Sequence, residues 1–206
     1  MARKPSSRRW LDRQASDPYV KKAQAEGWRS RAVFKLQEIH QRERLLRPGM
    51  TVVDLGAAPG GWSQFAAGIT GDTGRVFALD LLPMDALQGV EYIRGDFADE
   101  KTLEALMFRV GERGADLVLS DMAPNISGVR SVDQPRAVLL AELALDLALK
   151  ALRPGGSFVC KLFHGEGFDE FVREARQHFE RVSVRKPASS RPGSRETYLV
   201  ARTYRI

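Results

Sequence analysis

Short apolar runs recur from residue 51 onward: TVVDL at 51–55, RVFALDL at 75–81, VEYIR at 90–94, ADLVLSD at 115–121 and GSFVCKLF at 156–163. Such runs, bounded by Gly, Pro or Asp and holding β-branched or aromatic residues, read as strands. Between them the apolar positions fall at helical spacing over 61–70, 99–110 and 135–152,. A helix at 168–179 then leads into two closing strands, 181–186 and 196–204. Several strands are almost wholly apolar, as strands become when helices cover both faces of a parallel sheet. The alternation predicts an α/β fold built on an open, doubly wound, seven-stranded and mostly parallel sheet, with helices on both faces. PASSRPGS, which joins the last two strands, is too short for a helical crossover, so the last strand is expected to run antiparallel,.

Ahead of the sheet, DPYVKKAQAEG reads as a short helix with Asp17 as N-cap, Pro18 at the first position and Gly27 closing it,. SRAVFKLQEIHQRERLL reads as a second, with Ser30 as N-cap and Pro48-Gly49 ending it,. Residues 1–16 are polar, basic and without period. They predict a flexible arm in front of a single domain spanning 17–206.

Composition narrows the classes. Of 206 residues, 43% are hydrophobic and 28% charged, so most of the chain should fold,. No apolar run approaches the roughly 20 residues that span a bilayer, and the charged N-terminus has no apolar segment behind it. The single Cys160 excludes an intramolecular disulfide and fits a reducing compartment, so a cytoplasmic protein is expected,. His40, His164 and His178 show no metal-ligand spacing, and no metal is predicted,. Charge is segregated: residues 1–50 hold 13 Lys/Arg against 5 Asp/Glu, residues 51–184 hold 13 against 20, and residues 185–206 hold 6 against 1. If the fold brings the two basic ends together, they form a positive face suited to a polyanion. Trp10, Tyr19, Trp28 and Phe34 interleave with the basic residues there, placed either to stack on unpaired bases or to pin the N-terminal helices to the sheet,.

The loop after the first strand carries the first chemical signal. In open α/β sheets ligands bind at the carboxyl ends of the strands. GAAPGG, residues 56–61, departs from the dinucleotide pattern G-x-G-x-x-G, with Ala58 at the second glycine position,. It departs from the triphosphate loop too, because Trp62 stands where the phosphate lysine belongs,. A loop of this kind suits a nucleoside ligand with little negative charge, and S-adenosylmethionine, a sulfonium without phosphate, fits it. Asp54, Asp80, Asp96 and Asp121 each close or follow one of the first four strands. Asp80 is positioned to accept from the ribose hydroxyls, Asp96 from the adenine amine. A single such aspartate is more often a cap or loop residue.

The segments GWRSRAVFKLQEI, DLGAAPGGWSQF, DLLPMD, GDF, SDMAPNISG, PGGSFVCKLFHGEGFDEF and VRKPASSRPGSRETYLVA occur in that order. Together they resemble the FtsJ/RrmJ family of ribose 2′-O-methyltransferases, nearest to its bacterial ribosomal RNA large subunit (uridine-2′-O)-methyltransferase branch. The resemblance runs from about residue 8 to about residue 203. It implies a Rossmann-like class I methyltransferase fold with the last strand antiparallel, and S-adenosyl-L-methionine as cofactor. It also implies a catalytic set of Lys35, Asp121, Lys161 and Glu196, with cofactor contacts from Gly60, Trp62, Asp80, Asp96 and Asp121. The implied substrate is a uridine ribose in the aminoacyl-tRNA-binding loop of large-subunit (23S) rRNA, on the assembled large ribosomal subunit. Residues 17–47 then form an RNA-facing helical portion. Neither DNA nor a membrane is an expected partner, and a monomer is expected because no apolar helix face is left over.

The chemistry asks for those residue types. A ribose 2′-hydroxyl is a weak nucleophile whose proton must leave as the methyl group arrives. Lys161, as a free amine, is the expected acceptor. It lies inside the apolar strand SFVCKLF, where an unpaired ammonium is expensive, so a buried partner or a function is required,. Lys35 alone would read as a solvated helix charge, Asp121 as part of a turn and Glu196 as an exposed strand-end charge. In the family set, Asp121 and Glu196 orient the amine and steady its charge. Two other classes compete: an RNA-binding ribosome-assembly factor with a vestigial methyltransferase domain, and a nicotinamide oxidoreductase, which lacks its pyrophosphate loop here.

Overall fold

The computed structural model describes residues 16–205. The expected basic arm, with Trp10, lies outside the described residues except for Ser16. The chain runs α1 (Pro18–Ala25), α2 (Val33–Glu43), β1 (Thr51–Leu55), α3 (Gly61–Thr70), β2 (Arg75–Asp80), β3 (Val90–Arg94) and α4 (Glu100–Val110). It continues with β4 (Ala115–Ser120), α5 (Arg130–Ala151), β5 (Leu152–Phe163), α6 (Phe168–His178), β6 (Phe179–Arg185) and β7 (Glu196–Tyr204). The seven strands form one sheet in the order β3-β2-β1-β4-β5-β7-β6. All neighbours are parallel except β7, which runs antiparallel to both β5 and β6. This is the expected Rossmann-like architecture. The order reverses at β1 and β4, which places a crevice at the carboxyl ends of those two strands.

Strand alternation sorts the core into two layers. Val53, Leu55, Val118, Phe158, Cys160, Leu162 and Leu199 face α4, α5 and α6. Val52, Leu117, Leu119, Val159, Tyr198 and Val200 face α2 and α3, meeting Leu36, Ile39, Trp62 and Ala66.

Local signals set most boundaries. The Asp17 carboxylate caps α1 by accepting the Tyr19 N–H at 3.0 Å, with Pro18 in the first turn,. Asp99 caps α4 through the Thr102 N–H. Three boundaries depart from expectation. Ser30 does not cap α2, which starts at Val33. Its Oγ instead lies where a side chain on Gly61 would sit, 2.4 Å from that ideal Cβ, so the hydroxyl serves packing against α3. α5 starts at Arg130 rather than 135 and carries Pro135 inside it. The Asp133 carboxylate accepts the Ser127 N–H, the Ser127 hydroxyl and the Gly128 N–H, which fixes the turn ahead of the proline. β5 begins at Leu152, because a register shift against β4 between Ala115 and Leu117 absorbs Pro154, Gly155 and Gly156,.

Candidate active site

The glycine-rich loop wraps the end of β1. Gly56 adopts φ +69°, and a Cβ there would stand 2.3 Å from Met122 Cγ, so only glycine lets the β1 and β4 loops approach this closely,. Gly60, at φ +104°, opens α3 under Met84 and Leu87. Asp80, at the end of β2, ties two loops together: Oδ2 accepts the Ala58 N–H at 2.9 Å and Oδ1 accepts the Leu82 N–H at 2.8 Å. Arg29 clamps the outside, donating to the carbonyls of Pro59, Asp85 and Ala86 at 3.3, 2.6 and 2.6 Å.

These loops enclose a cleft of about 410 Å³ lined by Gly56, Asp80, Leu82, Phe97, Asp121 and Met122 among others. A smaller cleft of about 150 Å³, floored by Trp62 and Asp54, shares Gly56, Ala58 and Asp121 with it. The larger lining carries two carboxylates and neither Lys nor Arg. That lining fits a cationic nucleoside and disfavours a pyrophosphate, which calls for cations or an open nest of N–H groups. Asp54 is 1% exposed and accepts the Ser63 hydroxyl at 2.6 Å. Burial pushes its carboxyl up to about 7, Asp121 and Asp80 push in the same direction, and the Ser63 hydrogen bonds oppose them,.

Strand parity builds the second half of the site. Asp121 follows Leu117 and Leu119 by steps of two, Lys161 follows Val159, and Glu196 precedes Tyr198 and Val200. All three therefore point to the layer from which α2 delivers Lys35. Lys161 Nζ lies 2.7 Å from Asp121 Oδ1 and 2.9 Å from the Asp121 carbonyl oxygen. Lys35 Nζ lies 2.7 Å from Glu196 Oε1. The Tyr198 hydroxyl donates to Asp121 Oδ1 at 2.5 Å, and the Lys35 ammonium sits 5.8 Å above the Tyr198 ring. Lys35, Lys161 and Glu196 are 6%, 9% and 8% exposed, too buried to be solvated surface charges,. Burial alone would raise the Asp121 carboxyl, but Lys161, Lys35 and the hydrogen bonds outweigh it and hold it below the usual carboxylate range,. Glu196 is likewise held low against burial, chiefly by Lys35.

The structure thus gathers Lys35, Asp121, Lys161 and Glu196 into one cluster that meets the cleft at Asp121. Asp80 lines the larger cleft, whereas Gly60 lines neither cleft and serves as the N-cap of α3. Trp62 is 3% exposed, donates its indole N–H to the Ala32 carbonyl at 2.8 Å and packs on Tyr198, which anchors the start of α2 beneath Lys35. Asp96 is exposed, and its carboxylate accepts the Ala98 N–H at 2.9 Å, beside the cleft-lining Phe97. Sequence reasoning missed Tyr198, although E-x-Y in a strand places both side chains on one face. It also missed the Ser63–Asp54 bond and the Arg29 clamp.

Among the described residues, the N-terminal helices meet the basic C-terminal segment. Arg31 and Arg191 lie 3.1 and 3.4 Å from Asp17, Arg185 lies 2.6 Å from Glu43, and Arg202 donates to the Glu43 carbonyl. Part of their charge is therefore matched locally. Tyr19 and Phe34 pack together, and Trp28 packs edge-on to Phe65, so these rings pin α1 and α2 to the fold.

A Rossmann-like sheet with an acid-rimmed nucleoside cleft and an adjoining lysine–carboxylate cluster defines a group-transfer enzyme of the class I methyltransferase type. A model of the FtsJ-like methyltransferase family matches residues 28–204. The chain is 61% identical over 202 residues to ribosomal RNA large subunit methyltransferase E of Alkalilimnicola ehrlichii, covering 98% of this chain and 97% of that one. It is 56% identical over 205 residues to the protein of that name from Pseudomonas aeruginosa, covering 100% and 99%. Among solved structures, a Plasmodium falciparum protein described as a ribosomal RNA methyltransferase superimposes with a TM-score of 0.76 at 23% identity, covering 86% of this chain and 98% of that one. Aeropyrum pernix fibrillarin, solved with S-adenosyl-L-methionine, superimposes with a TM-score of 0.58 at 15% identity, covering 84% and 74%. The chain belongs to the FtsJ-like methyltransferase family. Its cofactor is S-adenosylmethionine, which the cation-free cleft fits.

Proposed function

We propose that this protein methylates the 2′-oxygen of a uridine ribose in the aminoacyl-tRNA-binding loop of large-subunit rRNA, on the assembled large subunit. The names of the relatives, ribosomal RNA large subunit methyltransferase E, support the RNA class. The observation that carries the ribose-oxygen chemistry is Lys161: a buried amine held at 2.7 Å from Asp121, at the point where the cleft meets the tetrad.

Gly56, Asp80 and Asp121 would hold S-adenosylmethionine in the larger cleft, where it would supply an electrophilic methyl group on a sulfonium. Asp121 fixes Lys161 through two oxygens, so the amine has one direction left to point. The Tyr198 hydroxyl keeps Asp121 in place and ionised. Lys161, in its free-amine form, takes the 2′-hydroxyl proton as the oxygen becomes a nucleophile, and the ammonium so formed is the cation that pairs with Asp121,. Lys35, held by Glu196, sets a second positive charge beside it, which steadies negative charge growing on that oxygen,. The rest of the rate comes from alignment, since cofactor cleft and tetrad are fixed to adjacent strand ends.

The test is nucleoside analysis. Large subunits lacking the modification are incubated with enzyme and S-adenosylmethionine, and the RNA is digested to nucleosides. The account expects 2′-O-methyluridine from one site; a methyl group on a base atom would refute it.

A further inference from the structure

A second cleft, of about 310 Å³, is lined by chain neighbours of Asp121, Lys161 and Glu196 rather than by those residues themselves. The chain after Asp121 is the wall between it and the cofactor cleft. Met122, Ala123 and Asn125 line the cofactor cleft, while Pro124 and Ile126 line the second one. α5 divides in the same way, with Leu140 on the cofactor side and Ala137 on the other. The second cleft is also built from neighbours of the other tetrad members. Phe163 stands two residues beyond Lys161 in β5, about 7 Å along the strand, and Arg195 directly precedes Glu196,. Its lining is apolar at Pro124, Ile126, Ala137 and Phe163, with two arginines, Arg130 and Arg195, against one carboxylate, Asp133, which is engaged by the turn ahead of α5. Ile126 is 68% exposed, a large apolar side chain offered to solvent at this position.

We propose that this cleft receives the base of the nucleotide whose ribose is methylated, unstacked from its neighbours. The inference rests on the ribose-methylation reading above. A base is bonded to the carbon next to C2′, so wherever Lys161 meets the hydroxyl the base must occupy space adjoining the tetrad. The clefts of about 410 and 150 Å³ that Asp121 lines share Gly56 and Ala58 and belong to the cofactor side. The cleft beyond the Asp121 loop has the chemistry a lone base needs: apolar surface for its faces, and arginines that stack on bases and attract the flanking phosphates,. Its volume lies at the small end of small-molecule sites, room enough for one base,. A base seated there has left its stack and its pairing partner, so the target is presented unpaired.

Ala137→Phe fills the cleft from α5, at a position outside both the tetrad and the cofactor lining. Methyl transfer from labelled S-adenosylmethionine into unmodified large subunits is measured for it and for wild type, together with S-adenosylhomocysteine affinity and melting temperature. The expected result is a fall in kcat/KM of at least tenfold with cofactor affinity unchanged. Should Ala137→Phe not fold, Ile126→Trp closes the mouth from an exposed loop position, and the same fall is expected. Transfer by a folded variant within twofold of wild type overturns the proposal. If wild type itself labels no ribose oxygen, the methylation reading has failed, and the cleft assignment falls with it.

Discussion

Asp54→Asn separates the electrostatic cost of the cofactor site from its chemistry. Asp54 is 1% exposed, and its carboxyl is pushed up from 3.8 to about 7. In the unfolded chain it is ionised above about pH 4, whereas the native protein keeps the proton until about pH 7. Between those values the native state binds more protons, so stability falls as pH rises through the window and levels off above it. At about 1.4 kcal/mol per unit, a rise of roughly three units costs about 4 kcal/mol in full, of which about 3 kcal/mol falls between pH 5 and pH 8,. Asparagine keeps an acceptor for the Ser63 hydroxyl but does not titrate. Its amide N–H groups need partners of their own, a pH-independent cost of about 1–3 kcal/mol. Urea unfolding of both proteins at pH 5 and pH 8 isolates the titrating part. Wild type should lose about 3 kcal/mol more than the variant between the two conditions. Parallel losses would refute the reasoning, because they would mean that Asp54 folds already ionised.

Two further perturbations probe the site. Lys35→Met leaves Glu196, 8% exposed, without its cation, and should cost about 3–5 kcal/mol by denaturant unfolding, with part recovered in Lys35→Met/Glu196→Gln; a loss below about 1 kcal/mol would place the pair in effective contact with water,. Arg29→Ala releases the Pro59, Asp85 and Ala86 carbonyls, and calorimetry should find S-adenosylhomocysteine bound about tenfold more weakly, near 1.4 kcal/mol, whereas equal affinity would make the clamp incidental to the cleft,.

The strands and the glycine loop were legible because their signals are local. TVVDL followed by GAAPGG states a buried strand and a close backbone approach within a dozen residues, and Gly56 against Met122 realises it. Where a distant side chain decides, local reading failed. α5 starts five residues early because Asp133 reaches back to Ser127 and Gly128, and the sequence rule that favours Pro135 as a start has no access to that bond,. Ser30 reads as a cap but meets Gly61, and the strand that reads as starting at Gly156 reaches back to Leu152 through an irregularity in its pairing with β4. Within the tetrad, the residue types carried the resemblance, yet burial decides their weight. Lys35 on a helix and Glu196 at a strand end read as solvent charges until the fold covers both and sets them 2.7 Å apart. The Arg29 clamp and the second cleft are each assembled from three or more separate segments, so no window along the chain contains them.

The central claim is that Lys161 takes the proton from the ribose hydroxyl. Its most direct test is methyl incorporation from labelled S-adenosylmethionine into purified large ribosomal subunits that lack the modification, comparing wild type with Lys161→Ala. The account predicts transfer by wild type and a loss of at least about a hundredfold in the variant, the scale of a lost general base, with S-adenosylhomocysteine still bound. Transfer by Lys161→Ala within a few-fold of wild type would contradict it.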